Sequence, residues 1–327
     1  MLQRISRREA LVGGVASAVC LTSSAGKAET AYPKETINFI CAFPPGSGAD
    51  ILVRFYANKL GPIVRVPIVV QNKAGASGNI AAEYTARAKP DGYTILVHGG
   101  SSIAGNMHLF KKPPIDVTKE LKVTATLSQL AFMLLVPANS PYKTLQDLTA
   151  AMKAKGDKGT YGTPNTSSLI TGELYKQIAG LKTVHVNYRT SADFINDLAS
   201  GNIDFAITDA VSSLAQSRQG QSRMLAISSG KRMSSTPDLP TFAEGGVPGI
   251  DMTSWWGAMV PTATPQPIVE QINKWFVEAL KSPDTVEFLK AQGNDVFITS
   301  PADGQQQLVR SVEEWKDYVE LAKIEKQ

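Results

Sequence analysis

The sequence predicts an α/β protein made of two α/β domains joined by two crossing strands. Three observations carry that prediction. From residue 35 onward, short apolar runs alternate with segments of helical spacing. A second alternating set is bracketed by two long apolar runs, "FMLLVPANSP" and "WWGAMVPTATP". Loops rich in glycine and hydroxyl side chains fall where strands give way to helices. Strand and helix in alternation imply a mainly parallel sheet with helices on its faces.

Taken in order, "TINFICAF" reads as a strand, "ILVRFYANKL" as a helix, "PIVVQN" as a strand and "NIAAEYTARA" as a helix. The strand "YTILVHG" is opened by the turn Pro90-Asp91-Gly92. "FMLLVPANSP" is the first crossing strand, and "TLQDLTAAMKAKG" is a helix starting at Thr144 with Asp147 at capping-box spacing. "TYGTPNTSSLITGELYKQIAG" gives a strand, a loop and a helix closed by Gly180. "VHVNY", "ADFINDLASG", "IDFAITD" and "RMLAISSG" complete the second set before "WWGAMVPTATP" crosses back. Helices at "PIVEQINKWFVEALK", "PDTVEFLKAQG" and "PADGQQQLVRSVEEWKDYVELAKIEK" end the chain. The expected lobes are residues 29–128 with 253–327, and residues 129–252.

The first 28 residues read differently. A basic head, "RISRREA", precedes a short apolar stretch, "LVGGVASAVCLTSSA", as in an export signal cleaved after Ala28. Ser6-Arg7-Arg8 resembles the twin-arginine type. Removing that segment takes the chain from 33 basic and 29 acidic residues to 29 and 28, a net charge of +1. Such a balance gives no reason to expect nucleic acid or an anionic membrane as partner. Only Cys41 remains after processing, so no internal disulfide is expected.

Signatures of catalysis are missing from the sequence. His98, His108 and His185 lie in or beside different elements, and neither H-E-x-x-H nor C-x-x-C occurs. The glycine-rich turn at 42–50 matches neither phosphate-binding pattern. "GASG" at 75–78 lacks the spaced glycine pair of a nucleophile elbow. No catalytic residue, metal or cofactor is therefore expected. Trp255 and Trp256 are open to two readings, core packing or closure over a ligand.

Four loops fall at the C-terminal ends of predicted strands: 43–50, 99–102, 163–168 and 209–213. Ligands of open parallel sheets sit at that edge. Among them the loops offer Ser47, Ser101, Ser102, Thr163, Asn165, Thr166, Ser167, Ser168 and Ser212, with no lysine or arginine. Asp50 and Asp209 are their acids, and Asp209 either caps its own helix or faces the cleft. Neutral hydrogen-bonding groups at helix N-termini suit a small carboxylate.

"FPPGSGAD", "VVQNKAGASGNIAAEYTARAKPDGYTIL", "TYGTP" with "GELY", "VHVNY", "LASGNIDFAITD", "RMLAISSGKR", "LPTFAEGGVPGID" and "WWGAMVPTATP" occur in that order. Together they resemble the tripartite tricarboxylate transporter substrate-receptor family, the Bug-type periplasmic solute-binding proteins. The resemblance implies a two-lobed periplasmic binding fold, type II-like, that closes on a small carboxylate and hands it to membrane permease subunits. It implies a periplasmic, monomeric protein without enzymatic activity. Carried over to this chain, the first gripping loop is Phe43, Pro45, Gly46, Ser47, Gly48 and Asp50. The second is Thr163, Asn165, Thr166, Ser167 and Ser168, and Ser101, Tyr188 and Asp209 match other pocket positions. The chain departs from the family pattern where its second loop, "TPNTSSLI", lacks glycine and histidine. It departs again at Asn187, Arg189 and Thr190, and where the family's double glycine is Gly46-Ser47. A ligand-presenting sensor, or more remotely a hydrolase on the same scaffold, are the other classes open to such a chain.

Overall fold

Three βα units begin the fold, in a computed structural model that describes residues 32–188 and 191–327. The expected export signal, and Arg189 and Thr190, lie outside the described residues. The units are β1 (Ile37–Cys41) with α1 (Gly48–Val64), β2 (Ile68–Asn72) with α2 (Asn79–Ala86), and β3 (Thr94–Gly99) with α3 (Gly100–Leu109). β1 pairs in parallel with β2 on one side and β3 on the other. Apolar residues on both faces of β1 explain its place between them: Ile37, Phe39 and Ile40 are all buried.

A short helix, α4 (Val117–Glu120), leads into β4 (Leu121–Pro137), 17 residues long and buried along nearly its whole length. The second set follows: α5 (Leu145–Lys155), β5 (Thr160–Thr163), α6 (Thr166–Ala179), β6 (Val184–Asn187), α7 (Ser191–Ser200), β7 (Phe205–Asp209), α8 (Ala210–Arg218) and β8 (Ser222–Ile227). The predicted capping box at α5 is present, with the Thr144 hydroxyl accepting from the Asp147 N–H and the Asp147 carboxylate accepting from the Thr144 N–H. β9 (Thr253–Pro261), α9 (Gln266–Leu280), α10 (Pro283–Ala291), β10 (Asp295–Val296) and α11 (Pro301–Leu321) complete the chain.

The sheet runs in the order β2-β1-β3-β9-β4-β7-β5-β6, with β8 and β10 also on β4. β4 is what unites it. Its first half pairs with β9, from Leu121 opposite Pro261 to Ala131 opposite Thr253, and its second half pairs with β7 and β8. The expected mainly parallel sheet is corrected to a mixed one. β1–β3 and β5–β7 are parallel groups, but every pairing of β4 and β9 is antiparallel. These two strands run against their neighbours, so the sheet combines both ladder types.

Where the chain passes between the halves, Ser228 fastens three segments. It exchanges backbone bonds with Phe132 and Met252, its hydroxyl donates to the Met252 carbonyl at 2.5 Å, and the Phe132 N–H donates to the same hydroxyl at 2.9 Å. Trp255 belongs to the core, buried with its indole N–H on the Ser311 hydroxyl at 3.0 Å. Cys41 is a buried free thiol in β1.

Candidate functional site

The C-terminal ends of β1, β3, β5 and β7 face a cleft of about 770 Å³ whose back wall is formed by Leu130 and Phe132 of β4. Register fixes its two sides. Leu130 lies opposite Ser254 of β9, which leads through Gly257 to His98 of β3; Phe132 lies opposite Asp209 of β7. Phe43, Ser77, Gly78, Ser102 and Asn106 line the first side, together with Trp315 of α11. Asn165, Thr166, Ser167 and Asp209 line the second.

Five of the sequence-predicted residues therefore meet in the cleft lining: Phe43, Asn165, Thr166, Ser167 and Asp209. Asn165 is the N-cap of α6, its amide oxygen accepting from the Ser168 N–H at 2.9 Å. That leaves the N–H groups of Thr166 and Ser167, the first two of the helix, without in-helix acceptors at the cleft wall. Asp209 takes both roles left open by the sequence. It lines the cleft and caps α8, accepting from the Ser212 N–H at 3.0 Å and from the hydroxyls of Ser212 and Thr208.

The remaining candidates lie outside that lining. Asp50 is buried and accepts from the Gly46 N–H (2.8 Å), Asn72 Nδ2 (2.7 Å) and Arg54 Nε (2.9 Å). The Arg54 hydrogen bond is the largest influence holding its carboxyl down to about 2. Ser47 caps α1 and also donates to the Pro44 carbonyl. The first loop thus satisfies much of its own polarity: the Gly46 and Ser47 N–H groups are committed to Asp50 and Pro44. Gly46, at φ +80°, needs its missing side chain; Gly48 does not, having no positive φ and open space where a Cβ would lie. Pro45 and Gly48 are exposed outside the lining, where Pro44 takes the wall position.

Ser101 accepts from the Trp255 N–H at 3.2 Å, tying α3 to β9. Thr163 is buried with its hydroxyl 2.8 Å from His185 Nε2, and the Ser168 hydroxyl is buried without a partner among the described residues. Tyr188 turns toward α7, donating to Asp197 at 2.7 Å and packing on Phe194. Desolvation, then the Asp197 bond, pushes its hydroxyl up to about 12.

Two features of the cleft escaped the sequence reading. The first is the loop 75–78, where Gly75, Ala76, Ser77 and Gly78 all have positive φ. Ala76 and Ser77 are not glycines, so the conformation is strained by roughly 1 kcal/mol or more at each. Asn106 of α3 holds it in place, its amide nitrogen donating to the Ser77 carbonyl (2.9 Å) and to Asn79 Oδ1 (3.0 Å). The sequence signal lies in "GASG", which lacks the glycine spacing of a nucleophile elbow and falls within one of the blocks that carry the family resemblance.

The second is His98, 1% exposed at the end of β3 with neither ring nitrogen hydrogen-bonded among the described residues. The Phe43 ring meets it edge-on at 5.1 Å and the Trp256 ring at 6.1 Å. Burial lowers its pKa from the ordinary 6.5 to about 4. Between those values the unfolded chain binds a proton that the folded protein refuses. The contribution of His98 to stability is therefore whole above about pH 6.5 and is lost toward pH 4, with a slope approaching ~1.4 kcal/mol per pH unit. Thermal unfolding followed from pH 7 to pH 4 is expected to show a falling Tm, flattened in His98→Leu. Asp50 acts in a separate window, since a depressed carboxyl loses its contribution only as pH falls toward 2.

Among the described residues no group of three or more His, Cys, Asp or Glu is placed to hold a metal ion. No helix among them is long and apolar enough to cross a membrane.

A family model described as tripartite tricarboxylate transporter family receptor matches residues 52–323. Protein BugT of Bordetella pertussis (strain Tohama I) is 30% identical over 292 residues, covering 88% of this chain and 89% of BugT. A solved structure described as a periplasmic transporter is 30% identical with a TM-score of 0.74, covering 89% of this chain and 98% of the other. Rpa4515 of R. palustris, solved with adipate, is 27% identical with a TM-score of 0.76, covering 90% of this chain and 100% of the other. The α/β architecture is thus that of two-lobed periplasmic binding proteins.

Proposed function

The chain belongs to the tripartite tricarboxylate transporter family of receptors, and on that premise we propose that it is an exported, periplasmic solute receptor. In this reading it binds a small carboxylate in the cleft and delivers it to membrane permease subunits, as a monomer and without chemical change to the ligand.

The observation that carries the reading is the N-terminus of α6 at the cleft wall, where Thr166 and Ser167 bring uncommitted N–H groups and hydroxyls to a cavity of about 770 Å³. The positive end of the helix dipole favours an anion at that place without any lysine or arginine. The relative solved with adipate supports a carboxylate as the ligand. Residues 29–128 with 253–327 form one lobe of the proposed receptor and residues 129–252 the other. Closure then turns on the crossings in β4 and ahead of β9, and the closed shape is what the permease reads.

A thermal-shift screen of the purified protein tests this directly. The panel holds C4 to C10 mono- and dicarboxylates, aromatic acids, citrate-type acids and acidic amino acids. A ligand at a hundred times its Kd is expected to stabilise by about 2.7 kcal/mol. Selective stabilisation by one acid class is the expected result, and a flat response across the whole panel rejects the receptor reading.

A further inference from the structure

The receptor reading leaves the charge of the ligand open, and the side chains of the cleft bear on it. Among the described residues that line it, the ionisable ones are His98 and Asp209, with no lysine or arginine beside them. Asp209 takes its hydrogen bonds from neutral donors on Ser212 and Thr208. His98 lies between two aromatic rings with both nitrogens unpartnered among the described residues, in surroundings that oppose the imidazolium. A neutral imidazole offers one N–H donor and one bare acceptor. Buried polar atoms left so are uncommon and costly, which adds this pair to the N–H groups of α6 as hydrogen-bonding capacity still unspent in the cleft.

We propose that the ligand carries a single carboxylate and that His98 determines specificity by hydrogen-bonding an uncharged polar group, a hydroxyl or an amide, elsewhere on the ligand. This rests on the receptor reading and narrows it. The lone carboxylate takes the N–H groups at the start of α6, and the body of the ligand lies along Leu130, Phe132 and Phe43 toward His98. A second carboxylate in that position meets a neutral ring, apolar walls and the charge of Asp209, so its lost hydration goes uncompensated. A hydroxyl or amide loses far less on leaving water and can donate to or accept from the ring according to its tautomer.

The experiment is isothermal titration of the purified protein at neutral pH with two matched series. One is hexanoate, 6-hydroxyhexanoate, adipamate and adipate; the other is butanoate, 4-hydroxybutanoate, succinamate and succinate. In the series that fits the cleft, the hydroxy acid or the amide is expected to bind about tenfold tighter than the plain acid, the equivalent of one good hydrogen bond. The diacid is expected to bind at least tenfold more weakly than its half-amide. Compared within each variant, the gain of the hydroxy acid or amide over the plain acid should vanish in His98→Leu, while His98→Gln, which keeps a donor and an acceptor, should retain most of it. A diacid that binds as tightly as its half-amide overturns the inference and leaves the receptor standing, and so does a tenfold gain that survives in His98→Leu. Binding by none of the eight acids overturns this inference, and the receptor reading falls with it only where the wider thermal-shift panel is flat as well.

Discussion

Gly78→Val is expected to abolish ligand binding, with affinity down by at least a hundredfold, and to destabilise the fold by roughly 3 kcal/mol or more. A Cβ at position 78 would lie 2.3 Å from His98 Nε2, and the residue sits at φ +93°, where a β-branched side chain is strained whatever space surrounds it. The ring has little room to withdraw, since Phe43 and Trp256 pack against it. Calorimetric titration with the best ligand, together with thermal unfolding, measures both effects. Gly48→Val is the control: its Cβ meets nothing within 4 Å, and the cost should be near that of one β-branched residue in a first helical turn. Repeating Gly78→Val in a His98→Ala background separates the two causes, because only the steric part disappears with the ring. A Gly78→Val protein with native Tm and affinity would show that loop 75–78 does not shape the cleft.

The second large effect is expected at Asp50. Asp50→Ala removes one buried carboxylate and leaves three groups without it: the Gly46 N–H, the Asn72 amide and the Arg54 guanidinium. Arg54 is 45% exposed and recovers water, but the Gly46 and Asn72 donors sit at the turn itself, so the loss is expected at about 3 kcal/mol. For a chain of this size that is a fall in Tm on the order of 5–10 °C. Such a fall in unliganded protein marks Asp50 as the anchor of the first loop. Loss of affinity with unchanged Tm would make it a ligand contact, the role the family resemblance assigns it.

The contrast between positions 48 and 78 shows what a sequence discloses about a site. Strand-to-helix turns were legible because they rest on local chemistry: proline and glycine after an apolar run, just as a cap such as Thr144 lies within three residues of the N–H group it satisfies. Loop 163–168 was placed at the cleft for that reason, and Thr166 and Ser167 are there. The glycines of "GASG" mark a turn, but nothing local shows that Ala76 and Ser77 between them take positive φ as well. The four positive φ values of loop 75–78 are held by Asn106, 29 residues further along the chain from Ser77. α3 was equally obscure, because glycines and serines with weak helix propensity form it and burial, against β9 and α11 among others, sustains it.

By itself the sequence determined the α/β alternation, the two crossing strands, the Thr144 capping box and the four loops at strand ends. All of these follow from hydrophobic period and short-range hydrogen bonding, which act within a few residues. Tertiary structure alone decided which polar groups are spent and which are free. Asp50 turned inward because Asn72 and Arg54 come to meet it. Tyr188 turned to Asp197, and Ser101 to the backbone of β9. His98, one of three histidines without a motif, became the unpartnered ring of the cleft because the register of β3 with β9 sets it beside Trp256 and under Gly78. Partnership across a sheet depends on register and burial, quantities that no short stretch of chain contains.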